Sequence, residues 1–390
     1  MRRQILVSLG VLTAIVIAVL VTLFATGRVQ FFPRPYPGMP AVINRTNLYS
    51  EAAAGRMSPN TAGALPRVYV PNVKSGEVYV IDPATLRVVD RFNAGRNPQH
   101  VVPSWDLRTL WVAGSAAPGP GPGALMSIDP RTSAPGKIIF VPDAYNLYFT
   151  PDGHSAIVVA EQDNRLDFRD AQTMKFQETL RVPECKGINH ADFAVNGRYA
   201  IFTCEFGGNL AKVDIVTRAL IGIVTLPAPS MPQDIRIAPD GSGFYVADML
   251  HDGVFLIDGD ALTVAGFIPT GIGAHGLTIS RDSQKLYVAN RGAHAMPGPP
   301  HGPGSISVID FTTRQVERVW KIPGGGSPDM GNVSADGRYL WLSGRFDDVV
   351  YRIDTRSGLV TSIPVGDEPH GLTVWPQPGR YSLGHTGIMR

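Results

Sequence analysis

The hexapeptide Ser305-Ile306-Ser307-Val308-Ile309-Asp310 is the clearest copy of a short pattern that recurs seven times along the chain. Most copies alternate apolar and polar residues over strand length and end in aspartate, which is typical of a β-strand followed by a turn. The terminal residues are Asp82, Asp129, Asp170, Asp214, Asp258, Asp310 and Asp354. They are separated by 47, 41, 44, 44, 52 and 44 residues, an average of about 45, which is the length of a four-stranded propeller blade. Seven copies therefore predict seven blades.

The composition around this repeat favours an all-β protein. Of 390 residues, 44% are hydrophobic and only 17% are charged, and 42 glycines and 33 prolines separate short apolar runs. This mixture excludes a long coiled coil and a solvated disordered chain, and it is typical of many short strands joined by tight turns. We predict a seven-bladed β-propeller over residues 67–380 and a C-terminal tail over residues 381–390.

The order of strands within the repeat predicts how the ring closes. We call the strands of one blade a, b, c and d, from the central channel outward. The first copy begins with strand b near Val68, so its inner strand must come from residues 370–375 at the other end of the chain. The amino- and carboxy-terminal strands would then share one blade, which leaves only short, protected sheet edges.

The N-terminal segment predicts a membrane anchor. Residues 5–27 include a run of 22 residues without a charge, and about 20 apolar residues are enough to cross a bilayer as a helix. No small-residue cleavage site follows, so we expect an uncleaved, single-pass signal-anchor. Arg2 and Arg3 would keep residues 1–4 in the cytoplasm. The proline-containing residues 28–66 would form a stalk that carries an extracytoplasmic propeller at the cell membrane.

Three stretches carry a resemblance to a known family. Leu286-Tyr287-Val288-Ala289-Asn290, Ser305–Asp310 and residues 363–372 (IPVGDEPHGL) resemble the YVTN-repeat β-propellers, which are known from surface-layer and exported proteins. The resemblance covers roughly residues 67–378 and implies the seven-bladed fold. It implies no single activity, because this family and its relatives include binding modules, lactonase-like enzymes and metal- or haem-bearing redox propellers.

The start of each inner strand predicts a binding site. Six to seven residues before each a–b turn, every copy has a polar side chain, whereas the terminal aspartates are expected only to close turns. These strand ends surround one mouth of the channel, so residues distant in sequence converge there. The alternative is a hydrogen-bonded plug, or polar groups satisfied by channel water. The candidate ligand-binding residues are Gln99, His100, Asn146, Asn189, His190, Gln233, Asp234, His275, Asp329 and His370.

Histidines concentrate on the same predicted face. Three of the nine, His251, His294 and His301, belong to loops that border the mouth, whereas His154 and His385 are expected elsewhere. Neutral imidazole is a common ligand of divalent transition metals, so a divalent metal is a hypothesis, although no short ligand-spacing motif specifies it. The candidate metal ligands are the ring histidines His100, His190, His275 and His370.

Cys185 and Cys204 are the only cysteines, and they flank one predicted a–b hairpin. An oxidising exterior would permit a disulfide between them. His190 lies between the two cysteines in the sequence, so a Cys-His metal site is the alternative interpretation.

Together these patterns favour a membrane-anchored, extracytoplasmic propeller that binds a partner or small ligand at the histidine-rich face of its channel. The alternative is a metal-dependent hydrolase or redox enzyme with a histidine-ring site at the channel mouth. No nucleophile elbow, phosphate loop or dinucleotide fingerprint identifies catalytic residues or firmly implies a cofactor. Nucleic acid is disfavoured as a partner, because 35 basic residues are balanced by 33 acidic ones.

Overall fold

The sequence repeat forms seven four-stranded antiparallel sheets in a computed structural model, which describes residues 34–116 and 121–390. Burial decreases outward across each blade. In one blade, for example, Ala274–Ile279 and Ser305–Asp310 are almost wholly buried, whereas the outermost strand Gln315–Lys321 is mostly exposed. This gradient is expected when inner strands line a channel and neighbouring sheets bury their faces against one another. The predicted all-β, seven-bladed fold is confirmed.

The strands follow one another in order around the ring. The first blade contains β1 (Arg67–Asn72), β2 (Glu77–Asp82) and β3 (Arg87–Asn93). The second contains β4 (Pro98–Pro103), β5 (Leu110–Gly114), β6 (Gly123–Asp129) and β7 (Ala134–Val141). The third contains β8 (Asn146–Phe149), β9 (Ser155–Ala160), β10 (Arg165–Asp170) and β11 (Phe176–Arg181). The fourth contains β12 (Ile188–Phe193), β13 (Tyr199–Cys204), β14 (Asn209–Asp214) and β15 (Ala219–Thr225).

The remaining three blades continue the same pattern. The fifth contains β16 (Pro232–Ile237), β17 (Phe244–Asp248), β18 (Gly253–Asp258) and β19 (Thr263–Pro269). The sixth contains β20 (Ala274–Ile279), β21 (Lys285–Asn290), β22 (Ser305–Asp310) and β23 (Gln315–Lys321). The seventh contains β24 (Pro328–Val333), β25 (Tyr339–Gly344), β26 (Val349–Asp354) and β27 (Val360–Pro364). Strand β28 (Thr373–Trp375) and two short 3-10 helices, Ser50–Ala52 and Pro59–Thr61, complete the described elements.

The ring closes between the two ends of the repeat, as predicted. Strand β28 is the inner strand of the first blade and pairs with β1, with Val68 opposite Val374 and Tyr69 opposite Thr373. One blade is therefore built from both ends of the propeller sequence. The hydrogen bonds between β28 and β1 join the chain that leaves the seventh blade to the sheet of the first blade. The ring therefore has no open edge at this junction.

The C-terminal tail runs back through the central channel. Its backbone follows β8, because Phe149 N–H donates to Leu383 O (3.0 Å) and His385 N–H donates to Leu147 O (2.9 Å). Between these bonds Gly384 has a φ of +114°, and a Cβ at this position would collide with the Leu147 carbonyl oxygen. Only glycine lets the tail approach the inner strand so closely.

The tail is anchored at both ends of its path. We call the face of the propeller that carries the a–b and c–d turns the turn face. On this face Arg390 donates to Asp192 Oδ1 (2.7 Å), a buried carboxylate on β12. At residues 384–387, where the tail reverses direction, the carbonyl oxygen of Thr386 accepts from Asn332 on the seventh blade. The tail therefore contacts opposite sides of the ring and fills the channel.

Residues 36–66, part of the segment predicted as a stalk, hydrogen-bond along the turn face of the propeller. Tyr36 N–H donates to Asn196 O (2.7 Å), Leu48 N–H to Pro239 O (2.7 Å) and Leu65 N–H to Pro130 O (2.8 Å). The predicted anchor, residues 5–27, lies outside the described residues. Over 34–116 and 121–390 we find no helix of the length and hydrophobicity needed to traverse a bilayer.

Candidate functional site

The four predicted ring histidines lie together at one end of the channel. The ring centroid of His100 is 5.3 Å from that of His190 and 4.7 Å from that of His370, and His275 is 6.1 Å from His370. All four side chains are at most 2% exposed. Each comes from the start of an inner strand or the loop before it, so the propeller scaffold brings them together from four blades.

A fifth histidine, His385, completes the cluster from the tail. Its centroid lies 5.1 Å from that of His100 and 4.9 Å from that of His190. The expectation that His385 lies elsewhere was wrong, because the tail returns through the channel instead of leaving the propeller. The repeat alignment could not place a residue beyond the last blade. The available signal was the apolar character of Leu383, Ile388 and Met389, which is unusual for a solvated tail.

His100 presents an uncommitted nitrogen to the cluster. Its Nδ1 lies 2.9 Å from the backbone oxygen of Tyr145. A carbonyl oxygen only accepts, so Nδ1 carries the proton and Nε2 keeps its lone pair. Nε2 is buried and finds no hydrogen-bond partner in the part of the chain that the structure describes. A histidine held by a backbone carbonyl in this way is typical of metal-ligating imidazoles.

His190 and His385 are both hydrogen-bonded to the side-chain amide of Asn146. Asn146 Nδ2 donates to Nδ1 of His190 (3.1 Å) and to Nδ1 of His385 (3.0 Å), while its Oδ1 accepts from Leu147 N–H (2.8 Å). The other nitrogens have weaker neighbours. His190 Nε2 lies 3.5 Å from the Tyr145 hydroxyl. One potential ligand atom from each of His100, His190 and His385 lies within 4.8 Å of the other two. We call these three residues the imidazole group.

The imidazole group is uncharged at neutral pH. Burial lowers the pKa of His100 and His190 well below the usual value, and the proximity of His385 lowers both further. Burial also lowers the pKa of His385, against the opposing effect of Asp234. Neutral imidazole is the metal-binding form of histidine, so coordination releases no net proton. Binding through Nε2 of His190 or His385 would require the tautomer with the proton on Nδ1, because Nδ1 of each ring accepts from Asn146 in the structure.

The other half of the ring is built around Asp329. Asp329 Oδ1 lies 2.7 Å from His275 Nδ1, and Oδ2 accepts from Arg291 Nη2 (3.0 Å). The same Arg291 nitrogen is 2.6 Å from His275 Nε2. Burial alone would raise the pKa of Asp329, but Arg291 and His275 outweigh it and hold that pKa well below its usual range. Asp329 is therefore a carboxylate anion that is paired with the guanidinium group of Arg291.

This half of the ring is a poor cation site despite its residue types. His275, Asp329 and His370 also offer ligand atoms within 4.8 Å of one another. However, both nitrogens of His275 already face a partner, and Arg345 Nη1 lies 4.0 Å from Asp329 Oδ2. A metal ion here would meet two guanidinium charges at short range. We call His275, Asp329, His370, Arg291 and Arg345 the arginine group.

Asp234 of the fifth blade supports the ring structurally. Its Oδ1 accepts from Arg236 (2.6 Å), its Oδ2 accepts from Leu277 N–H (2.9 Å), and His385 Nε2 lies 3.6 Å from Oδ2. Burial opposes ionisation of Asp234, but Arg236 and His385 lower its pKa to about 2. The carboxylate thus links the fifth and sixth blades and lies close to the tail.

The three remaining predicted residues lie around the ring and retain unused oxygens. Asn189 Nδ2 donates to Glu161 (2.9 Å) and Glu205 (2.6 Å), whereas Gln99 Nε2 donates to Ser115 (3.1 Å). The amide oxygens of Asn189, Gln99 and Gln233 are buried without a hydrogen-bond partner. These residues border the imidazole group without touching its ring nitrogens.

Four charged residues around the ring were missed by the sequence analysis. Glu161, Glu205, Arg291 and Arg345 each directly follow strand b of their blade. Burial, followed by the neighbouring Glu205, raises the pKa of Glu161 well above its usual value. Aligning the position after strand b would have shown that acids occupy the third and fourth blades and arginines the sixth and seventh.

Cys185 and Cys204 form a disulfide bond. Their sulfur atoms are therefore not available as metal ligands beside His190. The bond lies next to the a–b hairpin of the fourth blade and fixes the loop that precedes β12.

Solved structures share the architecture at low sequence identity. A functionally unknown protein from Desulfotomaculum acetoxidans aligns with a TM-score of 0.62 at 14% identity, covering 79% of this chain and 98% of that chain. The dihydro-heme d1 dehydrogenase NirN in complex with DHE aligns with a TM-score of 0.56 at 15% identity, covering 86% and 82%. Kuenenia stuttgartiensis hydrazine synthase aligns with a TM-score of 0.55 at 17% identity, covering 70% and 88%. At these identities the likeness shows the propeller fold alone.

A family model identifies the sequence more closely than these structures do. No curated protein matches the chain. The model described as YNCE-like beta-propeller matches residues 39–378, which include all seven blades and part of the segment that covers the turn face. The chain belongs to the YNCE-like β-propeller family.

Proposed function

We propose that this protein is a membrane-tethered, extracytoplasmic propeller that binds one divalent transition-metal ion at the imidazole group. The observation that carries the proposal is the convergence of His100, His190 and His385, whose ligand atoms lie within 4.8 Å of one another. All three side chains are buried and neutral, and His100 Nε2 is uncommitted.

The donor set favours a metal such as zinc or copper. Three imidazoles suit Zn²⁺, Cu²⁺ or Ni²⁺ better than Ca²⁺ or Mg²⁺, which prefer oxygen ligands. In a tetrahedral zinc site, bonds of about 2.0–2.1 Å place nitrogen ligands roughly 3.3 Å apart. Rotation of the three side chains and a small movement of the tail would close the cluster to that size.

Burial favours an ion over a larger ligand. The ring histidines are almost inaccessible to solvent, whereas a drug-sized ligand needs a concave pocket of several hundred cubic ångströms. A metal-dependent hydrolase also needs an open coordination position that its substrate can reach. We therefore favour metal binding over hydrolysis. Any protein or small-molecule partner would contact the loops that surround the ring.

The proposed location rests on two observations. Residues 5–27 are long and apolar enough to span a bilayer as a helix. The Cys185–Cys204 disulfide favours an oxidising compartment, because such bonds are rare in a reducing cytosol. Both support a propeller tethered at the cell membrane on its extracytoplasmic side. The balanced charge continues to disfavour a nucleic-acid partner.

Metal analysis of the untagged protein tests this function. Protein treated with a chelator and titrated with Zn²⁺ or Co²⁺ should bind one ion per chain, and Co²⁺ should give the visible absorption of a nitrogen-ligated centre. H190A should abolish stoichiometric binding, whereas H154A, which changes an exposed histidine, should not. Absence of stoichiometric binding, or equal binding by wild type and H190A, would overturn the proposal.

A further inference from the structure

Arg345 is a buried cation with unused hydrogen-bond donors. The residue is 5% exposed, and its Nε and Nη1 atoms have no hydrogen-bond acceptor among the described residues. The nearest carboxylate oxygens belong to Asp329, 4.0 Å from Nη1, and Glu368, 3.9 Å from Nη2. A buried guanidinium with unsatisfied donors is costly, so a protein that retains one at a channel mouth has a ligand for it or tolerates the loss.

Arg291, which is also buried, likewise has hydrogen-bond donors without strong acceptors. Its Nη1 points to the thioether sulfur of Met296 (2.9 Å), which is a weak acceptor, and its Nε has no partner. Only Nη2 reaches a carboxylate, Asp329. The guanidinium carbon also lies 5.6 Å from the centroid of the Phe346 ring. The aromatic ring supports the position of Arg291 but accepts none of its hydrogens in the guanidinium plane.

His370 adds a third unsatisfied group between these arginines and the imidazole group. Within residues 34–116 and 121–390, neither of its buried ring nitrogens has a hydrogen-bond partner, and Nε2 lies 3.8 Å from Asp329 Oδ2. Either nitrogen can donate a hydrogen bond in the neutral ring, depending on the tautomer.

The local charge balance is positive. Arg291 and Arg345 face one buried carboxylate, Asp329. Glu368, the other acid within reach, is already paired with Lys74 at 2.8 Å. Neutral histidines leave this balance unchanged, so the group carries one uncompensated positive charge.

From these contacts we infer that the arginine group binds a small oxyanion, of the carboxylate or phosphate class, between Arg291, Arg345 and His370. Guanidinium groups match the planar or tetrahedral oxygens of such anions better than any other side chain. A cation would be repelled by both arginines, and an apolar ligand would leave their donors unsatisfied. The site is separate from the imidazole group and does not require a metal ion.

Both arginines belong to loops and not to the inner strands of the ring. Arg291 begins the long loop between β21 and β22, and Arg345 begins the loop between β25 and β26. Movement of these loops would open the group without disturbing the sheets, since function in propellers commonly lies in the loops of a rigid ring.

Titration of chelator-treated protein with inorganic phosphate and with formate tests the inference. Calorimetry at constant ionic strength, with chloride as the reference anion, should show saturable binding of at least one probe. R345Q should weaken that binding about tenfold or more, because it removes a charge-assisted donor. D329N should tighten it, because it removes the competing carboxylate.

A matched control variant distinguishes specific binding at the arginine group from a nonspecific effect of the protein's net positive charge. R318Q removes one positive charge from an exposed arginine on β23 and should leave probe affinity unchanged. The result that overturns the inference is the absence of saturable binding to wild type, or equal weakening by R345Q and R318Q. If R345Q does not fold, R345K provides a second test. It keeps the positive charge but removes the planar guanidinium group, so it should still weaken binding of the anion. Because no metal is present in the assay, its outcome is independent of the proposed zinc centre.

Discussion

The two halves of the ring place the same residue type in opposite electrostatic settings. In the imidazole group, His100 and His190 are neutral and lie near blades whose b strands are followed by Glu161 and Glu205. In the arginine group, His275 lies against Asp329 and is flanked by guanidinium groups. The first half suits a cation and the second an anion, although both begin from a histidine at the start of an inner strand.

The difference shows how a repeated scaffold acquires two chemistries. The inner strand fixes where each imidazole lies, because its position is set by the blade geometry. The residue directly after strand b differs among the blades: it is acidic in the third and fourth blades and arginine in the sixth and seventh, so the charge near the ring differs between its two sides. The proposed metal site and the proposed anion site therefore lie beside acids and arginines, respectively, at equivalent positions of different blades.

The largest expected effect comes from deleting residues 381–390, which belong to the imidazole half. The deletion removes the buried side chains of Tyr381, Leu383, Ile388 and Met389. At about 1.5–3 kcal/mol each, their loss should destabilise the protein by roughly 6 kcal/mol or more. Calorimetry should show a melting temperature lower by about 10 °C or more.

The deletion also separates the two halves functionally. Zinc binding should be lost with His385, whereas phosphate binding at the arginine group should persist. A deletion variant that melts within about 2 °C of the full chain would show that the tail does not support the ring. H385Q provides the same test of metal binding if the shortened chain does not fold.

A drop in pH should weaken the fold from about pH 6.5 downward. Burial lowers the folded-state pKa of all five clustered histidines, so the unfolded chain binds more protons as the pH falls. Stability is therefore fully present above the unfolded pKa of about 6.5 and is lost below it, by about 1.4 kcal/mol per pH unit for each histidine that remains neutral. Urea unfolding at pH 7.5 and 5.5 measures this loss.

The two halves should differ in their share of this pH dependence. Burial, followed by His385, lowers the pKa of His100 well below its usual value, against the smaller opposing effects of Asp329 and Asp234. The pKa of His275 is lowered as well, but there Asp329 opposes burial from 2.7 Å away. H100Q should therefore reduce the pH slope more than H275Q does. H154Q, at an exposed position, serves as the control and should leave the slope unchanged. Equal slopes for all three variants would contradict the assignment.

Removal of the Asp329 carboxylate should destabilise the arginine half. D329A leaves Arg291 and Arg345 buried without their shared anion, and breaking a buried ion pair in this way costs about 3–5 kcal/mol. D163A, which removes a half-exposed partner of Arg165, should cost less than about 1 kcal/mol. Urea unfolding compares the two. A D329A variant as stable as D163A would show that the arginines find other partners.

The smallest expected effect is a gain at the imidazole half. N146D replaces the shared amide with a carboxylate that can accept from Nδ1–H of both His190 and His385, which leaves their Nε2 lone pairs for an ion. Zinc affinity should rise about tenfold, as measured by competition with a chromophoric chelator. N209D adds the same charge on β14 and should have little effect. Weaker zinc binding in N146D than in wild type would contradict the role given to Asn146.

Much of the architecture was predictable because the repeat is regular. The aspartates at the ends of the c strands indicated seven blades, and the first copy's missing inner strand indicated the shared blade formed by β28 and β1. The four ring histidines were also predictable, since equivalent positions in a propeller converge on one axis. Their burial and uncharged state were not predictable, because these depend on the tail and on loop packing.

The residues that distinguish the two halves differ in how far the sequence could have revealed them. His385 lies beyond the last repeat, so no comparison among copies could place it in the channel. Arg291 and Arg345 directly follow strand b, so an alignment of that position among the copies would have shown the residues but not the contacts that they make. The sharing of Asn146 by two imidazoles depends on side-chain orientation, which a sequence pattern does not specify.

The return of the tail through the channel sets an order of assembly. His385 follows every blade in the chain, so ribosomes release the third imidazole only after the whole propeller sequence has been made. The proposed three-histidine centre would therefore be complete only in chains whose C-terminal tail lies in the channel. Metal binding at that proposed centre would then depend on complete synthesis of the chain.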